Sequence, residues 1–412
     1  MVNIMTNPQY DLIVKGGRVI DPANQIDGVM DVAIQDGKVA SIAVDIPANL
    51  AEKVVDVSGC IVTPGILDIH THVYNYVPSL PGALGAVNAD AHLFASGVTT
   101  TVDVGTTGWK NFADFKKCTI DVSKVRVLAF LNIAANGMTD NVSEQTMSDM
   151  QPKLAASMVE AFPEWLLGIK TAHYWTQLPW DEQHLPWASV ERAVEAGELC
   201  GKPVMVDFWP RPPERPYPDL ILKKLRPGDI HTHVFAQQFP VVGADGKTSD
   251  FLFKARERGV LFDLGHGAGS FWFRNAVPAF RDGFPPDTLS TDLHMGSIAG
   301  PALSMQNVMS KFLNIGMPLP EVVWRSTQRP AELIRRPELG TLSIGAEADL
   351  AIFKLLRGEF GFIDCGKARL SGTQKLECVF TLRAGQVVFD PGGLSMPEWP
   401  QAPAPYWVNP AL

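Results

Sequence analysis

Between about residues 63 and 335, short apolar runs alternate with longer amphipathic stretches. Each run has the length of a buried strand, and most of the stretches between them have room for a helix. Strands that alternate with helices form a parallel sheet, and eight such units close into a barrel. The pattern therefore predicts an α/β fold, specifically a (β/α)8 TIM barrel. The eight runs are residues 66–72, 99–104, 125–131, 167–170, 204–207, 230–235, 261–264 and 289–292.

The two ends of the chain show a different pattern, in which short strand-like runs are separated by tight turns. Near the N-terminus, Gly16-Gly17 and Asp36-Gly37 separate such runs, and both dipeptides are typical of hairpins. We therefore predict one small β domain formed by residues 1–62 and 340–412, around a barrel domain of residues 63–339. The predicted terminal strands are residues 11–15, 18–21, 31–34, 38–42, 348–353, 378–382 and 386–389.

The composition is that of a folded globular protein, with 46% hydrophobic and 19% charged residues. These values exclude a disordered chain. The formal net charge of -9 repels phosphate backbones and anionic membranes, so we expect a small-molecule substrate rather than nucleic acid. The 5 cysteines are scattered without a C-x-x-C pair, and neither a signal peptide nor a membrane span is evident. We expect a cytoplasmic protein that forms a homo-oligomer.

Two histidines, His70 and His72, end the first barrel run. Side chains alternate along a strand with period two, so both imidazoles face the same side. Two neighbouring neutral imidazoles can bind one cation, although so short a pattern also arises in ordinary histidine pairs. Because active residues of such barrels lie at the C-terminal strand ends, the other polar residues that close runs should converge on this pair. They are Asp103, Lys170, Asp207, His233, His266 and Asp292.

Three of these residues suggest a metal centre. A cation is expensive to bury at Lys170, and a neutral amine there could combine with carbon dioxide to give a carbamate that bridges two cations. The alternative is a lysine paired with a nearby aspartate. Asp292 could bind a metal and accept a proton from water. His233 forms a second H-x-H pattern with His231, and we predict that both face the same way. Such donors suit hydrolysis assisted by a divalent ion, with zinc as the first choice.

Candidate substrate contacts come from two loops. His266, flanked by glycines, could bind substrate and stabilise an oxyanion, unless it packs on Phe271. Residues 208–217 are rich in aromatic residues, proline and arginine, and Arg211 or Arg215 could pair with a substrate carboxylate. Each of these could equally be a solvated loop residue. The aromatic residues expected to line the pocket are Tyr74, Tyr76, Trp175, Trp209 and Trp272.

The chain resembles the amidohydrolase superfamily over nearly its whole length. The segments that carry this resemblance are residues 63–72, 96–103 and 340–350. Four shorter segments most resemble the amidohydrolase/deacetylase subgroup, whose members cleave N-acyl amino acids or acyl esters of hydroxy acids. They are residues 168–170, 232–233, 265–267 and 290–294.

The resemblance implies a barrel with a small β-sandwich and a site for two metal ions. Zinc is the expected ion, and a carboxylate ligand at Asp207 would favour manganese or weakly held zinc in the second position. The resemblance also implies that carboxylated Lys170 bridges the ions, that His70, His72 and Asp292 hold the more buried one, and that His233 holds the other. One residue departs from the subgroup, because Asp207 stands where a histidine is expected. Asp207 could itself be a ligand, or His231 or His173 could compensate. The remaining possibilities are a single-metal enzyme and a protein that has lost the activity.

The function favoured by the sequence is metal-dependent hydrolysis of an amide or ester, with Asp292 passing a proton from metal-activated water to the leaving group. The alternative within enzymes is a cyclic-amide hydrolase of the dihydroorotase or hydantoinase kind. A nucleobase deaminase is disfavoured, because that branch lacks the bridging lysine and carries a strand-five histidine followed by a glutamate three residues later. A barrel that binds without catalysis is a further possibility.

Overall fold

A computed structural model describes residues 8–75, 84–174 and 179–408. Its strands form two sheets, one from the terminal regions and one from the central region. The strands are β1 (Tyr10–Asp21), β2 (Ile26–Gln35), β3 (Lys38–Ala43), β4 (Ala51–Asp56), β5 (Ile61–Pro64), β6 (Ile66–Thr71), β7 (Val98–Gly108), β8 (Arg126–Asn132), β9 (Leu166–Thr171), β10 (Val204–Val206), β11 (Ile230–His231), β12 (Leu261–Phe262), β13 (Leu350–Ile363), β14 (Arg369–Arg383) and β15 (Gln386–Phe389).

The helices lie mainly between the central strands. They are α1 (Ala89–His92), α2 (Phe112–Phe115), α3 (Pro152–Ala161), α4 (Ala188–Leu199), α5 (Tyr217–Asp219), α6 (Asp250–Glu257), α7 (Phe273–Arg281), α8 (Met305–Ile315), α9 (Leu319–Trp324) and α10 (Gln328–Leu333). Within the described ranges, no helix combines the length and the apolar character needed to cross a bilayer.

The terminal sheet has the strand order β15-β14-β13-β5-β1-β2-β3, and β4 pairs with β1. Strands from both ends of the chain therefore share one sheet. The Asp36-Gly37 hairpin is confirmed, since Gln35 pairs with Lys38 and both turn residues have positive φ. The predicted turn at Gly16-Gly17 is wrong, because β1 runs through it. The chain absorbs the two glycines as a bulge between Val14 and Gly17, which Gly16 permits by adopting a φ of 77°.

The central strands β6 to β12 form a parallel sheet in sequential order. Seven of the eight predicted runs are therefore strands. The eighth run is not a strand of this sheet, but the residues on either side of it form isolated parallel bridges with both sheet edges. Thr288 pairs with Asp263 beside β12, and Leu293 pairs with Thr71 beside β6. The backbone N–H of His72 donates to the carbonyl of Leu293 at 2.9 Å. The sheet thus curls until its two edges contact the same segment.

The two sheets meet at Gly65, the one residue between β5 and β6. Its N–H donates to the carbonyl of Asp349 at 2.7 Å, next to β13 of the terminal sheet. A Cβ at this position would lie 2.1 Å from Thr99 Oγ1, so only glycine allows this close approach. The strand that carries His70 is consequently anchored directly to the terminal sheet.

Candidate metal centre

His70, His72 and Asp292 come together at one end of the parallel sheet. One potential ligand atom from each residue lies within 4.8 Å of the others, and all three side chains are buried. Asp292 Oδ1 is 3.1 Å from His72 Nε2 and 3.6 Å from His70 Nε2. Asp292 reaches this position with a φ of 48°, an uncommon conformation for a residue other than glycine. Such strained backbone is typical of functional sites.

Each histidine uses its other ring nitrogen to contact a neighbouring hydroxyl. His70 Nδ1 is 2.9 Å from Thr232 Oγ1, and His72 Nδ1 is 2.8 Å from Thr106 Oγ1. Thr106 in turn donates to Asp103 at 2.8 Å. This arrangement fixes the rings and leaves both Nε2 atoms directed at Asp292, as in histidines that bind a metal. Asp103, one of the residues that close predicted strands, therefore supports the site through Thr106.

Lys170 lies near the C-terminal end of β9, one residue before the strand ends at Thr171, and it is buried. Its Nζ has no hydrogen-bond partner among the described residues. Burial lowers the pKa of this amine, although the nearby Asp207 and Asp292 carboxylates act in the opposite direction. Burying an amine without a hydrogen-bond partner costs free energy, which indicates that a bound ion or a modification of the amine completes its surroundings.

A second cluster surrounds Asp207, which follows β10. Asp207 Oδ2 is 3.6 Å from His233 Nε2 and 3.9 Å from His173 Nε2. Burial alone would raise the pKa of Asp207, but His233, His173 and Lys170 lower it to about 2, so the carboxylate is ionised. His233 Nδ1 contacts the carbonyl of Gly265 at 2.6 Å, which again leaves Nε2 directed at the cluster. Of the two residues proposed to compensate for the missing histidine, His173 lies here.

His231 lies outside both clusters, and the prediction that it faces the same way as His233 is wrong. Its ring packs against Tyr217 and Phe239, with centroids 5.2 and 4.8 Å away. Neither ring nitrogen has a partner among the described residues. The strand ends at His231, and His233 has a φ of 61°, so the period-two alternation of a strand does not extend across the pair.

His266 does not line the cavity at the metal centre, contrary to its predicted contact with substrate. Its Nε2 is 2.7 Å from Lys311 Nζ, and its ring stacks on Phe271 with centroids 4.5 Å apart. His266 is fully buried. The structure shows the alternative that the sequence left open for His266, which is packing on Phe271. The backbone of the following residue, Gly267, instead approaches Asp292, where a Cβ would lie 2.3 Å from Oδ2.

The proline-rich loop after β10 contributes less to the cavity than predicted. The guanidinium groups of Arg211 and Arg215 lie over the ring of Trp180, 5.3 and 4.9 Å from its centroid. Arg215 also donates to the carbonyl of Tyr174 at 3.0 Å. These arginines brace the loop and do not line the cavity around the metal centre. Trp209 is 45% exposed and lines a small pocket beside Asp207.

The other aromatic residues that were predicted to line the pocket also have different surroundings. Tyr74 is buried, its ring packs at a tilt against Phe115 with centroids 5.1 Å apart, and its hydroxyl donates to Asp114. Trp272 donates to the carbonyl of Gly269 at 3.1 Å. Tyr76 and Trp175 lie outside the described residues.

The cavity at the two clusters has a volume of about 280 Å³. It is lined by His70, His72, Leu84, Met138, Lys170, His173, Asp207, His233, Ala268, Gly269, Ser270, Asp292 and His294. His294 was not predicted to line the cavity. It lies two residues after Asp292, in the segment 290–294 that carries the family resemblance, and this proximity could have identified it. A larger cavity of about 480 Å³ lies near Arg126, at the start of β8 and away from these side chains.

Comparison with known proteins links this arrangement to deacetylases. A protein from Enterococcus faecalis named deacetylase is 28% identical over 384 residues, which cover 92% of this chain and 99% of the relative. A deacetylase from Brucella anthropi is 30% identical over 350 residues, 82% of each chain. No family model matches the chain.

Solved structures give a consistent result. A crystal structure of an adenine deaminase is similar with a TM-score of 0.82 and 29% identity, and the match covers 92% of this chain and 99% of that one. A dihydroorotase structure has a TM-score of 0.76 over the same shares at 24% identity, a likeness of fold. Together with the cluster of His70, His72 and Asp292, these relatives show that the chain belongs to the amidohydrolase superfamily of metal-dependent hydrolases and that deacetylases are among its relatives there.

Proposed function

We propose that this protein is a deacetylase-like hydrolase that cleaves the acyl amide or acyl ester bond of a small molecule. The observation that carries the proposal is the convergence of His70, His72 and Asp292, with their free Nε2 and Oδ1 atoms directed at one another. The buried amine of Lys170 beside them supports a site that takes more than one ion. The named deacetylases that align with most of the chain favour a substrate whose acyl group is transferred to water.

The residues present fit two divalent ions. His70, His72 and Asp292 would hold one ion, while His233 and Asp207, with His173 nearby, would hold the other. We propose that Lys170 is carboxylated, because a carbamate would give its orphaned nitrogen two oxygen atoms to share between the ions. Imidazole nitrogens favour zinc, and the additional carboxylate of Asp207 would make manganese acceptable in the second position.

A divalent cation, when bound, acts as a Lewis acid that polarises the substrate carbonyl and lowers the pKa of water. The protein supplies the rest of the chemistry. Asp292 is ionised, because neighbouring imidazoles lower its pKa despite the opposing effect of burial. It can therefore accept a proton from the attacking water and deliver it to the departing nitrogen or oxygen. The hydroxyls of Thr106 and Thr232 hold the histidine rings in place throughout.

The bridges at both edges of the parallel sheet support a closed (β/α)8 barrel, with residues 288–293 as its eighth strand. We propose the same domain division as the sequence suggests, with residues 63–339 as the barrel domain and residues 1–62 and 340–412 as the β-sandwich domain. We also propose that the protein is cytoplasmic and forms a homo-oligomer.

Metal analysis and a substrate screen test the proposal together. The protein is prepared with zinc or manganese, with and without bicarbonate, and assayed against N-acyl amino acids, acylated hydroxy acids, cyclic imides and adenine. We expect about two metal equivalents per chain, a mass increase at Lys170, and release of the acyl acid. Turnover of cyclic imides alone would favour the cyclic-amide alternative. A protein that binds no metal would contradict the proposal.

A variant locates the chemistry within the chain. Lys170→Ala should lose the second metal and reduce turnover by orders of magnitude, because it removes the bridging group. Lys254→Ala changes an exposed lysine on α6 that does not line the cavity. It serves as the control and should keep the second metal and the turnover. An unchanged rate in Lys170→Ala would refute the bridging role.

A further inference from the structure

Asp292 is held by hydrogen bonds to the peptide groups on both sides of it. The backbone N–H of Gly267 donates to the carbonyl of Thr291, the residue before Asp292, at 2.9 Å. The hydroxyl of Ser297 donates to the carbonyl of Asp292 itself at 3.0 Å. Because Asp292 has an uncommon φ of 48°, the surrounding structure must hold its backbone in this conformation. Two separate segments, one on each side of the peptide, do so.

Lys311, on α8, links these two segments. Its Nζ lies 2.7 Å from His266 Nε2 in the first segment and donates to the carbonyl of Pro301 at 2.8 Å in the second. Pro301 follows the turn that begins at Ser297, in which the N–H of Gly300 donates to the carbonyl of Ser297 at 3.2 Å. Both Lys311 and His266 are fully buried, so solvent does not compete for these contacts.

The surroundings of His266 decide which ring nitrogen carries the hydrogen. Nδ1 lies 3.0 Å from the carbonyl oxygen of Gly267, which can only accept, so Nδ1 is the protonated nitrogen. Burial and the nearby Lys311 amine lower the pKa of the imidazole well below its ordinary value, so the ring is neutral and Nε2 accepts from Lys311. The amine of Lys311 therefore fixes the ring, and the ring fixes the peptide group of Gly267.

Gly267 also lies against the carboxylate of Asp292. A Cβ on Gly267 would lie 2.3 Å from Asp292 Oδ2 and 3.3 Å from its Cγ. The other oxygen, Oδ1, is the atom that lies 3.1 Å from His72 Nε2. The backbone of Gly267 thus limits the positions open to the carboxylate, and a shift of that backbone would let Oδ1 move relative to the imidazoles.

We infer that Lys311 and His266 are positioning residues for Asp292, although neither of them lines the cavity of the metal centre. One buried amine joins the two segments that hold the Asp292 backbone, and its imidazole partner fixes the glycine that limits the carboxylate. The inference rests on the proposed function, in which Asp292 binds an ion and transfers a proton. The effect is on kcat rather than on KM, because a misplaced carboxylate impairs proton transfer while the cavity that receives the substrate keeps its lining.

Two single variants of the full chain and their combination test the inference. Lys311→Met removes both donated hydrogen bonds, and His266→Phe keeps a ring on Phe271 but removes both nitrogens. Each should lower kcat by about 10–100-fold with little change in KM. The double variant replaces both polar partners with apolar groups, so it should regain much of the stability that each single variant loses. Its kcat should nevertheless stay low, because the ring no longer holds Gly267.

The visible absorption spectrum of the cobalt-loaded protein gives a readout that does not depend on a substrate. Cobalt(II) accepts the same nitrogen and oxygen donors as zinc, and its absorption bands change with the arrangement of the ligands. Lys311→Met and the double variant should both shift these bands, because both displace the Asp292 carboxylate. Val308→Ala is the control, since it removes buried apolar packing from the same helix, and it should change neither the spectrum nor kcat.

The outcomes separate a positioning role from a purely structural one. If the double variant regains both the stability and the kcat of the parent protein, the pair only stabilises the fold and the inference is overturned. A parent-like cobalt spectrum in Lys311→Met also overturns it, even if His266→Phe does not fold. If the parent protein binds cobalt but hydrolyses no acylated compound, the proposed function fails, and the spectra still decide whether Lys311 acts on the ligand geometry. A parent protein that binds no cobalt overturns both.

Discussion

Gly105 packs directly against the side chain of Lys170, so that a Cβ on Gly105 would lie 2.6 Å from Lys170 Cγ. Gly105 also has a φ of 84°, which disfavours any other residue. We expect Gly105→Ala to displace Lys170 and to reduce the bound metal towards one equivalent, with at least about tenfold lower turnover. Metal analysis and steady-state kinetics provide the measurement.

Gly283→Ala is the matched control for this variant. Gly283 has the same φ of 84° but no atom within 4 Å of its Cβ position. It should lose about 1–2 kcal/mol of stability through backbone strain alone and keep its metal. Equal metal loss in both variants would show that contact with Lys170 has no specific role.

Thr106 is predicted to act on metal affinity through His72. Thr106→Val removes the hydroxyl that holds His72 Nδ1 and leaves the ring free to rotate. Affinity for the first metal should fall by about 10–100-fold, as measured by competition with a chelator. Thr99→Val, on the same strand, removes a buried hydroxyl without a partner among the described residues and should leave the affinity unchanged.

Lys311 should make stability depend on pH. Burial lowers its pKa from 10.5 to about 7 in the folded protein. Below pH 7 both states carry the proton, whereas between pH 7 and 10.5 only the unfolded state does. The free energy of unfolding should therefore rise with pH in this window, relative to Lys311→Met, by up to about 1.4 kcal/mol per pH unit. Denaturant unfolding of both proteins across the window gives the difference, and a constant difference would contradict the prediction.

Asp207 should determine the metal preference of the second position. Asp207→His replaces a carboxylate with an imidazole and should shift the second ion towards zinc over manganese. Asp207→Ala should reduce occupancy of that position and leave the first ion in place. Elemental analysis after loading with an equal mixture of both metals distinguishes these results. Identical metal ratios in the parent protein and Asp207→His would argue against Asp207 as a ligand.

The parts of the structure that follow from regular periodicity could be predicted from the sequence. His70 and His72 both direct Nε2 at Asp292, and β6 extends to Thr71, which lies between them. The same rule failed for His231 and His233, since β11 has only 2 residues and the chain leaves it before His233. Short strands provide too few residues for alternation to decide where a side chain points.

The other wrong predictions concern side chains whose positions depend on tertiary packing. His266 was expected to contact substrate because glycines flank it, yet it is the glycine backbone that approaches Asp292, while the imidazole pairs with Lys311. Lys311 is distant in sequence, on α8, and no local pattern marks it as a partner. Arg211 and Arg215 were misassigned for a similar reason, because the position of Trp180 beside them depends on the fold of another loop.

The anchoring of β6 also bears on when the metal centre can form during synthesis. β5 leads through Gly65 into β6, and it lies between β1 and β13 in the terminal sheet. The second of these partners, β13, begins only at Leu350. A ribosome must therefore have produced the chain well beyond Asp292 before β5 has both of its neighbours and the strand carrying His70 is fully anchored. We expect cation uptake to follow translation, so that a nascent chain arrested before residue 350 would emerge without a bound ion.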